Sequence, residues 1–218
     1  MHLEILVEDQ SGKKCLELLL PSMVNDAHTF KVHSYKGIGR IPKGLKASSD
    51  PTRRILLDQL PRLLRGYGKT FARYPAEYKA AVILVCDLDD KCLRVFRKEL
   101  MDILDACDPR PETHFCFAVE EGEAWFLGDI PAIKAAYPKA KDAILSSYDN
   151  DSICGTWELL ADAVYQGGPA ALSSDGWQAV GREKSQWSDR ITPNMEVTIN
   201  DSPSFVYFRE KIAELLEQ

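Results

Sequence analysis

The sequence predicts an α/β fold in which a compact, Rossmann-like parallel sheet is flanked by helices and followed by a mostly helical C-terminal part. Apolar runs of strand length alternate with helical patterns through the first 130 residues. One run, residues 80–86, is unbroken and largely β-branched, as expected for a strand buried on both faces. Helical spacing dominates afterwards. We therefore expect an α/β core at residues 1–130 and a helical extension at residues 131–218 packed on the same domain.

The individual elements follow from periodicity and from start and stop signals. Asp50 and Pro51 resemble a helix cap followed by proline at the first helical position, and Ser202 with Pro203 gives the same signal near the C-terminus. The expected strands cover residues 3–7, 29–35, 80–86 and 113–119. The expected helices cover residues 12–20, 50–65, 91–107, 131–137, 140–147, 156–164 and 181–187, with a last one from residue 202.

Composition bounds the class of protein. The chain has 218 residues, of which 45% are hydrophobic and 28% charged, which suits one α/β domain. No apolar run reaches the length of a bilayer span, and the N-terminus lacks the layout of a secretion signal, so we expect no membrane contact. The six cysteines form no Cys-x-x-Cys pair, which predicts reduced, structural thiols in a cytoplasmic protein.

Acidic residues follow three of the predicted strands. Glu8 follows the first strand, Asp87 and Asp89 follow the strand at residues 80–86, and Glu120 and Glu123 follow the strand at 113–119. The carboxyl ends of parallel strands meet at one edge of a sheet, where open α/β folds place their ligands. Adjacent carboxylates repel each other unless a cation lies between them, and Mg²⁺ or Mn²⁺ prefers oxygen ligands. The competing interpretation of each cluster is a solvated turn or a helix-start acid.

Side-chain periodicity refines this expectation. Strand residues alternate between faces, so Asp87 and Asp89 should point the same way. Glu120 and Glu123 are one helical turn apart and should share a side of the following helix.

A Gly-rich basic loop follows the second strand. Between residues 31 and 49 the chain has basic residues and no acid, so the net charge of −6 is unevenly distributed. The loop lacks the Gly-Lys-Ser/Thr ending of a P-loop. Contact with a nucleic-acid backbone and simple solvation are both compatible with it. The residues that would make such a contact are Lys36, Arg40, Lys43 and Lys46.

Taken together, these motifs resemble a Toprim domain, the α/β unit of topoisomerases, primases and nucleases of the overcoming-lysogenization-defect type. In that family a Glu follows the first strand and an Asp-x-Asp follows a later one. The chain also resembles, more narrowly, a Toprim-like bacterial group, the domain-of-unknown-function 4276 family. The residues that carry the resemblance are Val7-Glu8, Asp87-Leu88-Asp89, Glu120-Glu121-x-Glu123-Ala124-Trp125, Gly155-Thr156-Trp157 and Ser202-Pro203-Ser204-Phe205.

The resemblance implies metal-dependent hydrolysis of phosphodiester bonds, in phage defence or DNA repair, with DNA rather than RNA as the expected substrate. Asp87 and Asp89 would bind a first Mg²⁺ or Mn²⁺, with Glu8 as a further ligand or the general base. Glu120 and Glu123 would hold a second ion. Related nucleases also use a lysine near the end of the domain, and Lys184 is the nearest candidate.

Two other classes of function stay open. The chain has no nucleotide-binding motif of its own. It could therefore be a non-catalytic subunit that binds nucleic acid or a partner and works beside a separate ATPase. A phosphotransfer receiver also gathers acids at strand ends, although the cluster at Glu120 and the long C-terminal part fit that class poorly.

Overall fold

A computed structural model describes residues 1–42, 50–152 and 154–217, except for the side chain of Pro51. It confirms the predicted fold class: a four-stranded, all-parallel sheet flanked by helices and followed by a helical C-terminal part. The strands are β1 (His2–Val7), β2 (Thr29–Ser34), β3 (Ala80–Asp87) and β4 (Thr113–Ala118). Their order in the sheet is β2-β1-β3-β4.

Ten α-helices lie in the described residues. The first three connect the strands: α1 (Gln10–Leu19), α2 (Leu56–Phe71) and α3 (Leu93–Asp105). The others follow β4: α4 (Glu123–Leu127), α5 (Ile130–Ala136), α6 (Asp142–Leu145), α7 (Thr156–Val164), α8 (Gly168–Ser174), α9 (Trp177–Ile191) and α10 (Pro203–Leu216). In the part of the chain that is described, none of these helices combines the length and apolar character needed to cross a bilayer.

Both faces of the sheet are buried, which explains the unbroken apolar run of β3. Ile83 points to the face covered by α1 and the C-terminal helices, and Leu84 points to the face covered by α2 and α3. Both side chains are completely inaccessible to solvent. Trp187 and Phe205 from the C-terminal helices belong to the same core as Ile83. The C-terminal helices thus pack on the sheet rather than forming a separate core.

The strand order creates a crevice at the carboxyl edge of the sheet. From β1 the chain passes through α1 to β2 on one side, and then through α2 to β3 on the other side of β1. The connections diverge between the ends of β1 and β3, and ligands of open α/β sheets bind at such a point. Val7 pairs in register with Val85, so Glu8 and Asp87 follow neighbouring strands into this crevice.

The predicted start of the second helix was wrong. Asp50 and Pro51 begin only a short 3-10 turn, Pro51–Arg53, because Arg54 then adopts a left-handed backbone conformation with φ of 52°. Helix α2 starts at Leu56, and it continues through Pro61. Its N-terminal turn is anchored instead by the basic loop, where the Gly37 carbonyl accepts a hydrogen bond from Leu56 at 3.1 Å.

Candidate functional site

Two carboxylates, Glu8 and Asp87, lie side by side at the ends of β1 and β3. The Glu8 carboxylate accepts a hydrogen bond from the backbone N–H of Asp87 at 3.4 Å. Both line a small cavity of about 70 Å³, together with Glu123 and Lys184 above a floor of apolar side chains. That volume holds a few water molecules or one hydrated ion. The structure therefore joins Glu8 and Asp87 in one site, as the sequence predicted.

Burial makes the charged forms of this pair unfavourable. It raises the pKa of Glu8 to about 7, and repulsion from Asp9 and Asp89 acts in the same direction. The pKa of Asp87 lies well above its ordinary value because of burial and repulsion from Glu8, although Lys184 opposes the rise. Buried like charges with raised pKa values mark sites where a cation or a proton is expected.

Lys184 reaches the cavity from the middle of α9 and neutralises two further carboxylates. Its ammonium lies 3.1 Å from Glu121 Oε1 and 3.1 Å from Glu123 Oε2. Although burial lowers the pKa of Lys184, the carboxylates of Glu123, Glu121 and Asp87 raise it overall, so the lysine stays charged. Glu123 itself is only 3% exposed. The structure thus brings both Lys184 and Glu123 to the predicted site.

The position of Lys184 depends on polar contacts between α9 and α1. The Ser11 hydroxyl donates a hydrogen bond to the Lys184 carbonyl at 3.4 Å, and the Ser188 hydroxyl donates to the Ser11 carbonyl at 3.0 Å. Helix α1 begins directly after Glu8 and Asp9. The same helix therefore fixes the distance between the first strand end and the lysine.

Asp89 does not share the direction of Asp87. Strand β3 ends at Asp87, and Asp89 has a left-handed backbone with φ of 51°, so the alternation that predicted a shared side stops before it. The Asp89 carboxylate pairs with Lys91 and is partly exposed. Its charge still raises the pKa of Glu8, so it lies near the pair without lining the cavity.

Glu120 is turned away from Glu123 and binds the N-terminus of α7. Its carboxylate accepts hydrogen bonds from the backbone N–H of Gly155 at 2.5 Å and of Thr156 at 3.0 Å. A carboxylate at a helix N-terminus satisfies free N–H groups and complements the helix dipole. The shared side expected for Glu120 and Glu123 is not observed, because Glu123 is the first residue of α4 and Glu120 precedes that helix.

We expect Glu120→Ala to lower the free energy of unfolding by about 1–3 kcal/mol, because the N–H groups of half-buried Gly155 and buried Thr156 lose their acceptor. Glu120→Gln keeps an acceptor oxygen and should be closer to wild type. Urea denaturation measures both. If Glu120→Ala is as stable as wild type, the contact with α7 does not stabilise the fold. If both variants lose Mn²⁺ binding equally, Glu120 is a metal ligand, as the sequence predicted.

The basic loop that follows β2 contacts the candidate site. The Glu8 carbonyl accepts a hydrogen bond from Gly37 at 2.8 Å, and the Lys36 N–H donates to the Arg54 carbonyl at 2.8 Å. Arg40 lies further along, where it lines an open groove of about 410 Å³ with Lys91. Lys36 and Arg40 are thus placed beside the carboxyl edge. Lys43 and Lys46 lie outside the described residues.

Glycine is required at one turn of this loop. Gly39 has φ of 71°, and a Cβ there would approach Ile55 Cγ2 to 2.0 Å. The loop is therefore held tightly against the start of α2 at this point.

The residues present fit a Mg²⁺ or Mn²⁺ ion at Glu8 and Asp87. Among residues 1–42, 50–152 and 154–217, no three His, Cys, Asp or Glu side chains stand ready as a metal-binding group. Mg²⁺ commonly uses one or two protein carboxylates and completes its shell with water and substrate phosphate. Two hard oxygen donors beside a small cavity satisfy that requirement.

Sequence reasoning missed Glu121 as a site residue. Burial raises its pKa to about 7 even though Lys184 lowers it. One of its oxygens, Oε2, is buried without a hydrogen-bond partner. The run Glu120-Glu121-Gly122-Glu123 contained the signal, but helical spacing favoured Glu120 over its neighbour.

Comparisons with known proteins identify no relative of this chain. No family model matches it, and neither the curated proteins nor the solved structures contain a match. The function must therefore be inferred from the site itself.

Proposed function

We propose that the protein is a divalent-metal-dependent phosphodiesterase that cleaves nucleic acid. The observation that carries this proposal is the pair Glu8 and Asp87 at the diverging ends of β1 and β3, with Lys184 across a shared cavity. The pair is electrostatically unfavourable without a cation. A lysine opposite such a pair suits a substrate that is itself an anion, such as a phosphate.

Each residue of the site would have a distinct role. Glu8 and Asp87 would hold a Mg²⁺ or Mn²⁺ ion, which supplies neutralisation of phosphate charge and a water of lowered pKa. If Asp87 alone holds the ion, Glu8 would instead accept a proton from the attacking water, because burial raises its pKa to about 7 in the metal-free protein. Lys184, kept charged by Glu121 and Glu123, would stabilise charge that develops on the phosphate.

The surroundings support nucleic acid as the substrate class. Lys36 and Arg40 lie on the loop that follows β2 and that is hydrogen-bonded to the Glu8 carbonyl through Gly37, and basic side chains there would contact phosphates without reading sequence. The Asp89 carboxylate, paired with Lys91, adds to the negative charge near Glu8 that would attract the ion. We retain DNA as the expected substrate and phage defence or DNA repair as the expected role. The cytoplasm is the expected compartment, since all six cysteines are free.

Cleavage assays test the proposal. We expect wild type to cleave supercoiled plasmid or a single-stranded oligonucleotide with Mn²⁺ and not with EDTA. Glu8→Gln and Asp87→Asn should lose at least about 100-fold in rate. Asp105→Asn, which changes an exposed acid at the C-terminal end of α3 paired with Arg110, serves as the matched control. Metal binding by wild type without cleavage of any nucleic acid would favour the subunit that works beside an ATPase.

A further inference from the structure

Trp177 is the one tryptophan on the surface, and it lies on the helix that carries Lys184. Its exposure is 80%, whereas Trp125, Trp157 and Trp187 are at most 8% exposed. A tryptophan is normally well buried, so this degree of exposure needs an explanation. Packing in the core of the C-terminal helices does not explain the exposure of Trp177, because the tryptophan of α9 that lies in this core is Trp187.

The position of Trp177 relates it to the candidate site. Trp177, Gly181 and Lys184 are spaced by four and three residues, so they follow one face of α9. Seven residues of helix place Trp177 about 10 Å along the axis from Lys184. Between them, a Cβ at Gly181 would meet no atom within 4 Å. An open strip of surface therefore leads from the indole to the lysine.

A second contact ties the exposed ring to the same edge of the sheet. The ring of Trp157 meets that of Trp177 edge-on, with centroids 6.4 Å apart and planes at 64°. Trp157 follows Thr156, whose N–H donates to Glu120 at the end of β4. The buried Trp157 thus supports Trp177 from below and leaves much of the exposed ring available for contact.

The charge around Trp177 argues against electrostatic binding of the phosphate backbone of a duplex at this surface. Asp175 is exposed two residues before it, and Glu158 lies one residue beyond Trp157. Arg182 is the nearest exposed base along α9. Such mixed charge does not attract phosphates on its own, so an aromatic contact is the interaction that this surface offers.

We infer that Trp177, supported by Trp157, stacks on an unpaired base of a single-stranded nucleic acid whose backbone reaches Lys184. This inference rests on the proposed function and narrows its substrate class. Bases of a duplex stack on each other and present only their edges, whereas a single strand can place the face of a base on an aromatic ring. A neighbouring phosphate would then lie over Gly181 toward the cavity.

Fluorescence anisotropy with a labelled single-stranded oligothymidylate tests this inference, with Ca²⁺ replacing Mg²⁺ to prevent cleavage. We expect Trp177→Ala to weaken binding by about tenfold or more and Trp177→Phe to recover most of it. The loss should be the same at low and high salt, since stacking involves no counterion release. Binding to a duplex of the same sequence should be unchanged.

Tyr78→Ala is the matched control, because Tyr78 is a 48% exposed aromatic that precedes β3 at the opposite edge of the sheet. It should bind like wild type. An oligonucleotide without bases should bind wild type and Trp177→Ala equally. Urea midpoints of all variants should agree, because an exposed ring contributes little to folding.

Three results would overturn the inference. Trp177→Ala could bind the single strand as tightly as wild type, or lose single strand and duplex equally, or change the oligomeric state in sedimentation, which would make Trp177 a protein contact. Wild-type cleavage with Mn²⁺, measured on the same samples, separates this failure from that of the proposed function. Cleavage of single strand that is insensitive to Trp177→Ala overturns stacking alone. Loss of single-strand binding in Trp177→Ala without cleavage by wild type overturns the proposed function alone, and unchanged binding together with no cleavage overturns both.

Discussion

Replacing Lys184 with alanine is expected to remove most of the cleavage activity and to destabilise the protein more than any other single change at the site. The variant leaves the buried carboxylate of Glu123 and the partly exposed carboxylate of Glu121 without their cation. Breaking a fully buried ion pair from one side costs about 3–5 kcal/mol, and we expect a loss at the lower end of that range because the Lys184 side chain is 21% exposed. Loss of a group that stabilises charge on the phosphate lowers the rate by about 10²–10³.

The stability loss should depend on pH in a defined direction. Burial already raises the pKa values of Glu121 and Glu123, and removal of the lysine raises them further. Wild type and variant share the fall in stability that begins near pH 4.5, so the deficit of the variant is absent at low pH and grows as pH rises above about 7, the folded-state pKa of Glu121 beside Lys184. Urea denaturation of Lys184→Ala should show a much larger deficit at pH about 8 than at pH about 4.

Lys14→Ala provides the control for this comparison. Lys14 also contacts α9, through Asp189 at 3.0 Å, but both side chains of that pair are about half exposed. Exposed pairs contribute about 0–1 kcal/mol, so this variant should resemble wild type. The double variant Lys184→Ala/Glu121→Gln should recover stability and not activity. If Lys184→Ala matches Lys14→Ala in stability and rate, Lys184 has neither role.

The opposite effect on stability is expected when a charge is removed from the metal-binding pair. In the metal-free protein at pH about 8, the free energy of unfolding of Asp87→Asn should exceed that of wild type by about 1–2 kcal/mol. Its urea midpoint should be higher accordingly. The reason is that Asp87 and Glu8 are half-buried beside each other, and Lys184 offsets only part of the repulsion that raises the pKa of Asp87. If Asp87 served only to stabilise the fold, Asp87→Asn would instead lower the free energy of unfolding.

The pH dependence of wild type follows from the same pair. The pKa of Glu8 is about 7 in the folded protein and near 4.5 when unfolded, so the folded state binds the proton more tightly. The free energy of unfolding should fall as pH rises from about 4.5 through about 7. Glu121, whose pKa burial also raises to about 7, contributes to the same fall. Mg²⁺ should reduce the fall, and Glu8→Gln should remove the part that Glu8 contributes. Asp105→Asn should keep the wild-type profile.

The sequence was informative where periodicity and strand ends act locally. The alternation of apolar runs predicted the parallel sheet and its helical C-terminal part, and the acids after the strands led to Glu8 and Asp87. It failed where one residue changes the chain direction. The left-handed Arg54 delays α2 until Leu56, and the left-handed Asp89 ends the alternation after Asp87.

Other parts of the site depend on contacts between distant elements. Nothing in the local sequence shows that Glu120 would bind Gly155 and Thr156 on α7 while Glu121 took the place beside Lys184. The placement of Lys184 depends on how α9 packs against α1, through pairs such as Ser11 and Ser188. Such long-range pairing is decided by tertiary packing, which periodicity does not encode.

Calorimetric titration of Mn²⁺ into wild type, Glu8→Gln, Asp87→Asn and Asp105→Asn is the decisive experiment, because it measures the metal site without requiring a substrate. We expect saturable binding by wild type and Asp105→Asn, with loss of saturable binding in the two site variants. Equal binding by all four proteins, or no binding by wild type, would contradict a metal centre at the ends of β1 and β3.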